Sequence, residues 1–223
     1  MKRRRAVMAI ALVFLFAGGA WAHKDVPDDG SHTSAGEALY IRDVTLSQVL
    51  YHEVTPDSAQ VWLAFDGKAG DLFYFQLGVP CLNRLENYRP ALALIGPGMG
   101  DVRPPIAIPA GLGARVYASD EITPAFFDER FTGTQSWVMF EHEIALPQDG
   151  RYYLAVWDPA GQPGKLWVAV GKAEAWTFKD VLTLYQVQHK TRVFHEVEHE
   201  PMPLFTFAIS AVSRILRVLF FFV

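Results

Sequence analysis

The sequence has almost no cysteine and no surplus of basic residues. Cys81 is the only cysteine among the 223 residues, so no disulfide can form within the chain. Residues 1–22 contain four basic and no acidic residues, and without them the chain has 16 basic and 24 acidic residues, a net charge of −8. That acidic balance argues against nucleic acid as a partner. Since 51% of the residues are apolar, a fold without disulfides can rest on its core.

The sequence also lacks the glycine-flanked serine of the α/β hydrolases. No G-x-S-x-G motif occurs, and Ser58, Ser119 and Ser136 stand without the glycines that a nucleophile elbow needs. We therefore expect a binding or accessory protein rather than an enzyme, and no cofactor. Zinc or copper chemistry stays open through the histidines described below.

The first 22 residues have the pattern of a secretory signal peptide. Basic residues from Lys2 to Arg5 precede an apolar run from Ala6 to Phe16, and Ala20-Trp21-Ala22 supplies the small residues of a cleavage site. An uncleaved membrane anchor fits less well because the apolar run is short. We expect a short signal helix, cleavage before His23, and export to the periplasm or cell surface.

A second apolar segment, residues 201–223, follows the rest of the chain. From Leu204 onward it holds 13 large apolar residues, which favour insertion into a bilayer by roughly 4 to 8 kcal/mol. Arg214 and Arg217 near its middle each oppose insertion by about 2.5 to 3.5 kcal/mol. The net free energy of inserting the segment as a spanning helix is therefore close to zero. The pattern favours a helix lying on a membrane surface, with a protein partner or a core helix as the alternatives. The aromatic residues that close the segment are Phe220, Phe221 and Phe222.

Between these ends, short β-rich runs alternate with turn residues. Residues 23–37 are polar and predict a flexible leader, and residues 38–172 predict the folded domain. Nine short strands without a long helix between them indicate an all-β fold, either an antiparallel β-sandwich or a barrel. Residues 173–200 predict a helix from about 178 to 188 and then a charged segment. The nine predicted strands are 39–41, 48–54, 59–65, 72–77, 91–95, 114–118, 136–144, 152–157 and 166–170.

Three stretches of this domain follow one another in a characteristic order. Residues 59–77 give a strand, a polar turn and an aromatic strand, and residues 91–98 give an apolar strand that ends in a Gly-Pro turn. Residues 146–156 then carry the pattern Pro-x-x-Gly-x-Tyr-Tyr. Over about half the chain this order resembles the bacterial pre-peptidase C-terminal-like domains. The resemblance implies a jelly-roll β-sandwich that serves as a secreted, non-catalytic accessory or binding module.

The segment His195-Glu196-Val197-Glu198-His199 fits the spacing of zinc-binding motifs. On a helix, His195 and His199 would lie one turn apart, and Glu196 would be placed to deprotonate a metal-bound water. On a strand, the Cα atoms of the two histidines would be roughly 13 Å apart, too far to share one ion. The segment is therefore open to three interpretations: catalytic zinc, metal binding without catalysis, or a solvated charged stretch.

Two histidines of the leader form a second candidate metal site. His23, as a free amino terminus, would offer both its amine and its ring nitrogen to copper, and His32 would offer a second ring. The spacing of nine residues favours no one geometry. A flexible polar segment without metal is the alternative.

Acidic and aromatic residues cluster between residues 120 and 131, on a predicted loop. Sugar-binding sites combine aromatic faces with carboxylates in this way, whereas simple packing of the phenylalanines onto the sandwich is the alternative. The residues predicted to bind a glycan or other small ligand are Asp120, Glu121, Phe126, Phe127, Asp128 and Phe131.

Overall fold

The computed structural model describes residues 23–175 and 178–197, which form two β-sheets and one helix. The predicted signal peptide, His199 and the apolar segment 201–223 lie outside the described residues. The strands are β1 (Lys24–Val26), β2 (Leu39–Tyr40), β3 (Gln48–Val54), β4 (Gln60–Gly67), β5 (Leu72–Pro80), β6 (Ala91–Gly96), β7 (Gly113–Tyr117), β8 (Ala125–Glu129), β9 (Thr134–Ala145), β10 (Gly150–Trp157) and β11 (Gly164–Val170), with a 3-10 turn at Asn83–Leu85 and the helix α1 at Phe178–Phe194.

The strands pack as a sandwich of a six-stranded and a five-stranded sheet. The strand orders are β1-β3-β11-β5-β9-β8 and β2-β4-β10-β6-β7. Neighbouring strands run antiparallel, except that β1 pairs parallel with β3 and β2 pairs parallel with β4. The predicted all-β sandwich is therefore confirmed. Each of the nine predicted strands has a counterpart, whereas β1 and β8 come from the predicted leader and the predicted loop.

Stacked aromatic rings fill one part of the core between the sheets. The ring of Phe65 stacks on Phe73 at 4.3 Å and on Tyr152 at 5.6 Å between centroids. Gly96 lies directly beneath Tyr152, since a Cβ atom there would come within 2.2 Å of the Tyr152 ring. Glycine at position 96 is therefore required by this packing.

Both outer faces of the sandwich are also covered, which explains why several strands are apolar on both sides. On the five-stranded sheet, Ile106, Ile108 and Leu112 of the long loop 97–112 pack against a cluster around Trp62. The helix end lies against the outer face of the six-stranded sheet, where Phe194 contacts Tyr51 at 5.0 Å between ring centroids. Of the helices that the structure describes, none is long and apolar enough to span a bilayer.

The predicted flexible leader, residues 23–37, follows the sheet edge instead. Lys24 pairs with Gln48 and Val26 with Leu50, so β1 extends the six-stranded sheet. An ion pair between Lys190 of α1 and Asp25, at 2.7 Å, ties this edge strand to the helix. Composition alone indicates disorder because the segment has few apolar residues, but backbone pairing and side-chain contacts hold it in place.

Candidate functional site

The segment with zinc-motif spacing lies at the C-terminus of α1 rather than within a helix. The amide of Val197 donates to the carbonyl of Arg192, and the amide of Glu196 donates to that of Val193. This is the Schellman arrangement, with Glu196 in the left-handed conformation at φ 55°. His195 and Glu196 therefore do not project from one helical face toward a shared ion. His199 lies outside the described residues.

Both ring nitrogens of His195 have partners inside the protein. The ring is 5% exposed, and its Nδ1 lies 2.8 Å from the carbonyl oxygen of Thr191, to which it donates. Nε2 then carries the lone pair and accepts from the hydroxyl of Ser136 at 3.1 Å, while Ser136 Oγ accepts from Trp167 Nε1 at 3.0 Å. Burial lowers the pKa of His195 to about 4, so the ring is neutral. In this conformation His195 has no nitrogen to offer to a metal.

Glu196 is engaged by two cations. Its carboxylate accepts from Arg84 Nη1 at 2.7 Å and from Lys165 Nζ at 2.8 Å. The hydrogen bonds from Arg84 and Lys165 lower the pKa of Glu196 to about 2. A carboxylate so weakly basic is a poor general base. In the described residues this segment ends the helix and fixes it to the sandwich.

Three of the residues predicted to bind a small ligand, Phe126, Phe127 and Asp128, lie on β8, which is an edge strand of the six-stranded sheet in the described residues. Asp120 and Glu121 precede this strand, and Phe131 follows it. Phe126 is 63% exposed and Phe127 39% exposed, whereas Phe131 is half-buried and accepts a hydrogen bond from Gln188 through its carbonyl. Asp120, Glu121 and Asp128 are exposed. The structure thus brings Phe126, Phe127 and Asp128 to one edge strand, where consecutive side chains alternate between the two faces of the sheet.

A compact turn in the leader brings together three groups of the kind that bind metals. In the sequence Asp28-Asp29-Gly30-Ser31-His32, here called the DDGSH turn (residues 28–32), one ligand atom each from Asp28, Asp29 and His32 lies within 4.8 Å of the others. His32 Nε2 lies 3.8 Å from Asp29 Oδ1. Its Nδ1 donates to the carbonyl of Glu37 at 2.7 Å, so the lone pair of the neutral ring is on Nε2. That lone pair faces the carboxylates.

A buried histidine, His52, is hydrogen-bonded to one of these carboxylates, that of Asp28. His52 Nδ1 lies 2.6 Å from Asp28 Oδ2, and His52 Nε2 lies 3.1 Å from the carbonyl of Ser58. Both partners are hydrogen-bond acceptors, so His52 links the Asp28 carboxylate to the backbone at Ser58. The two side chains are 2% and 4% exposed. Of these residues the sequence analysis identified only His32. The two adjacent acids could have indicated Asp28 and Asp29 as metal ligands, whereas no local pattern indicates His52.

Charge within the turn is set by these hydrogen bonds. Burial by itself raises the pKa of Asp28, but hydrogen bonds from His52 and from the amide of Gly30 outweigh it and leave that pKa below its ordinary value. The pKa of Asp29 is lowered by hydrogen bonds from the hydroxyl and the amide of Ser31. Both carboxylates are therefore ionised at neutral pH. The two carboxylates therefore present negative charge close to His32 Nε2.

His23, the other leader histidine predicted to bind copper, lies elsewhere. Its Nδ1 is 2.6 Å from Ser47 Oγ, beside the first residue of β3, and burial lowers its pKa to about 4. The DDGSH turn is beyond the other end of β3, where Ser58 Oγ donates to the carbonyl of Gly30 at 2.8 Å. The structure therefore does not bring His23 and His32 together.

Comparisons with known proteins concern the fold. No protein-family model and no curated protein matches the sequence. Among solved structures, the chain is similar to the pre-peptidase C-terminal domain of a Bacillus anthracis collagenase, at 11% identity and TM-score 0.31 over 59% of this chain and 91% of that one. This is the class of domain that the sequence resembles.

Two further solved structures are similar in the same way. One is CorA, a surface-associated copper-binding protein of Methylomicrobium album BG8, at 11% identity and TM-score 0.34 over 61% of this chain and 98% of that one. The other is the secreted protein MopE of Methylococcus capsulatus, whose copper binding is facilitated by an oxidised tryptophan, at 13% identity and TM-score 0.25 over 51% of this chain and 70% of that one.

Proposed function

We propose that this protein is an exported, non-catalytic β-sandwich that binds a divalent transition-metal ion at the DDGSH turn and is held at a membrane surface by residues 201–223. One observation carries the metal site. His32 Nε2 and the carboxylates of Asp28 and Asp29 converge within 4.8 Å, with Nδ1 of His32 fixed by a backbone carbonyl. Metal-binding histidines are typically oriented by such a hydrogen bond from the second ring nitrogen.

The donor set selects the class of metal. One imidazole nitrogen with carboxylate oxygens suits zinc and copper, whereas calcium and magnesium prefer oxygen ligands throughout. Copper(II) stands highest in the order of affinities for such ligands. Each carboxylate keeps lone pairs beyond those used by its present hydrogen bonds, so Asp28 can bind a metal while still paired with His52. Water would complete the coordination.

The non-catalytic part of the proposal is supported by the burial of the hydrogen-bonded pair Ser136–His195. Ser136 is 4% exposed and His195 5% exposed, so no substrate reaches the hydroxyl without movement of α1. Trp167 and Thr191 occupy the remaining hydrogen-bonding positions of the pair. We infer that the pair stabilises the helix end rather than performing chemistry.

Export and membrane association are supported by the two ends of the sequence. Residues 1–22 carry the basic, apolar and small-residue pattern of a signal peptide. In the segment 201–223, Arg214 and Arg217 can reach lipid phosphates while the apolar side chains and Phe220, Phe221 and Phe222 enter the interface. The protein would then present its metal site at a membrane surface outside the cytoplasm.

Isothermal titration of the purified full-length secreted protein with copper(II), and separately with zinc, tests the metal site. We expect one equivalent bound, and His32→Ala or Asp29→Asn should weaken binding at least about tenfold because a direct ligand is lost. Asp43→Asn is the matched control. Asp43 Oδ1 accepts from the amide and hydroxyl of Thr45 at 3.0 and 2.6 Å, the same local geometry that Asp29 has with Ser31 at 3.0 and 2.6 Å.

The control variant should bind metal as the unchanged protein does. If His32→Ala still binds one equivalent of metal with unchanged affinity, the proposed site is contradicted. It is also contradicted if Asp43→Asn loses as much metal affinity as His32→Ala or Asp29→Asn. A protein that binds neither ion at micromolar concentration would contradict the proposed function itself.

A further inference from the structure

The free edge at β8 exposes apolar side chains next to the end of the described chain. On β8, Phe126 is 63% exposed and Phe127, which points to the other face of this edge strand, is 39% exposed. Ile122, three residues before the strand, is 38% exposed. We call these three residues the β8 rim. Exposed apolar residues on an edge strand indicate a surface that another molecule covers when the protein functions. Left uncovered, such an edge tends to pair with a second strand or to aggregate.

The chain leaves the described region beside this rim. His195 accepts a hydrogen bond from Ser136 of β9, and Ser136 is the register partner of Phe127 on β8. The helix end is therefore next to β9, and β8 is one strand further, a step of about 4.8 Å. From Val197 to Leu204, where the apolar segment begins, the chain can span at most roughly 23 Å. A membrane bound by that segment is thus within reach of the rim.

We propose that the β8 rim rests on the bilayer interface and orients the sandwich on the membrane. This inference rests on the proposed membrane association of residues 201–223 and adds which face of the domain meets the lipid. Phenylalanine and isoleucine side chains gain by entering the interfacial region, and two contacts with the membrane, the segment and the rim, fix an orientation that one tether leaves free.

The charges around the rim indicate which lipid it accepts. Asp120, Glu121 and Asp128 flank the apolar residues along the sequence and are exposed. Carboxylates are repelled by anionic headgroups, and the repulsion falls off over a Debye length. The rim therefore fits a zwitterionic surface such as phosphatidylcholine, and added anionic lipid should not increase its insertion.

A single environment-sensitive label reports whether the rim meets lipid. In the full-length protein with Cys81→Ser, an NBD fluorophore is placed on Phe126→Cys or, as a control, on Leu72→Cys. Leu72 is 65% exposed, but it pairs with Ala145 at the far end of β9, whereas Phe126 pairs with Trp137. Trp137 and Ala145, the partners of Phe126 and Leu72 on β9, are eight residues apart, which corresponds to about 27 Å along the strand.

With phosphatidylcholine vesicles we expect the label at position 126 to brighten and shift to the blue, and the label at position 72 to stay unchanged. The double variant Phe126→Ser with Phe127→Ser should weaken vesicle partitioning about tenfold, because the two rings together offer roughly one full phenylalanine side chain to lipid. Leu72→Ser should leave partitioning unchanged.

Three results would overturn the inference, and they are distinguishable. Vesicle binding with no change at position 126, or with equal changes at both positions, contradicts the rim and leaves the membrane-binding segment standing. A change at position 126 that grows with protein concentration and needs no vesicles means that two β8 edges pair with each other. No vesicle binding at all contradicts membrane association, while metal binding is measured separately.

Discussion

Removal of the Ser136 hydroxyl should destabilise the protein by more than the loss of one hydrogen bond. Ser136 Oγ accepts from Trp167 Nε1 at 3.0 Å and donates to His195 Nε2 at 3.1 Å, and all three residues are buried. In Ser136→Ala the indole N–H and the imidazole lone pair both lose their partner. Each buried group left unpaired costs about 1 to 3 kcal/mol, so with two such groups the free energy of unfolding should fall by about 2 to 6 kcal/mol.

A second buried serine provides the control for this prediction. Ser119 is 1% exposed, and its hydroxyl makes one hydrogen bond, to the carbonyl of Pro90 at 2.6 Å. Ser119→Ala leaves one acceptor short and should cost about 1 kcal/mol. Urea unfolding followed by tryptophan fluorescence, with an unchanged m-value, gives both numbers. If Ser136→Ala costs no more than Ser119→Ala, the network that occupies His195 is not formed, and the argument against His195 as a metal ligand fails with it.

Two further changes test the electrostatics and the packing of the same region. Burial holds the pKa of His195 at about 4 against an ordinary 6.5, so stability that is full above pH 6.5 is lost as the pH falls toward 4, by about 3 kcal/mol. His195→Asn should remove that part of the loss in thermal unfolding measured between pH 7 and 4, and an unchanged pH profile would contradict the burial of the ring. Gly78→Ala would put a Cβ atom 2.2 Å from the Trp167 ring and should cost about 1 to 3 kcal/mol, whereas Gly36→Ala, with its nearest neighbour at 3.9 Å, should be nearly neutral in the same urea assay.

The strands that the sequence predicts are those with continuous apolar patterns, and the exceptions have physical reasons. β8 is an edge strand with acidic residues around it, so its pattern indicates a loop although its backbone pairs with β9. Strict alternation along β9 predicts one face for Val138 and Phe140. A bulge opposite Leu77 and Gly78 leaves Met139 without a partner, which moves Val138 to the outer cluster while Phe140 stays in the core. One extra residue in a strand reverses the direction of the side chains beyond it, and the amino-acid composition gives no sign of such a bulge.

The candidate metal site depends on a register that no local pattern specifies. Lys24 pairs with Gln48, and the same offset of 24 residues brings Asp28 against His52. A three-residue parallel edge strand fixes its register weakly by backbone pairing, and a slip by one residue would place Pro27 or Asp29 beside the buried ring. Only Asp28 in that position gives His52 a carboxylate partner and leaves Asp29 free to face His32. The buried pair therefore sets both the course of the leader and the geometry of the DDGSH turn. His32, the candidate metal-binding histidine, could be named from the sequence, but His52, which positions the candidate site, could be found only through the fold.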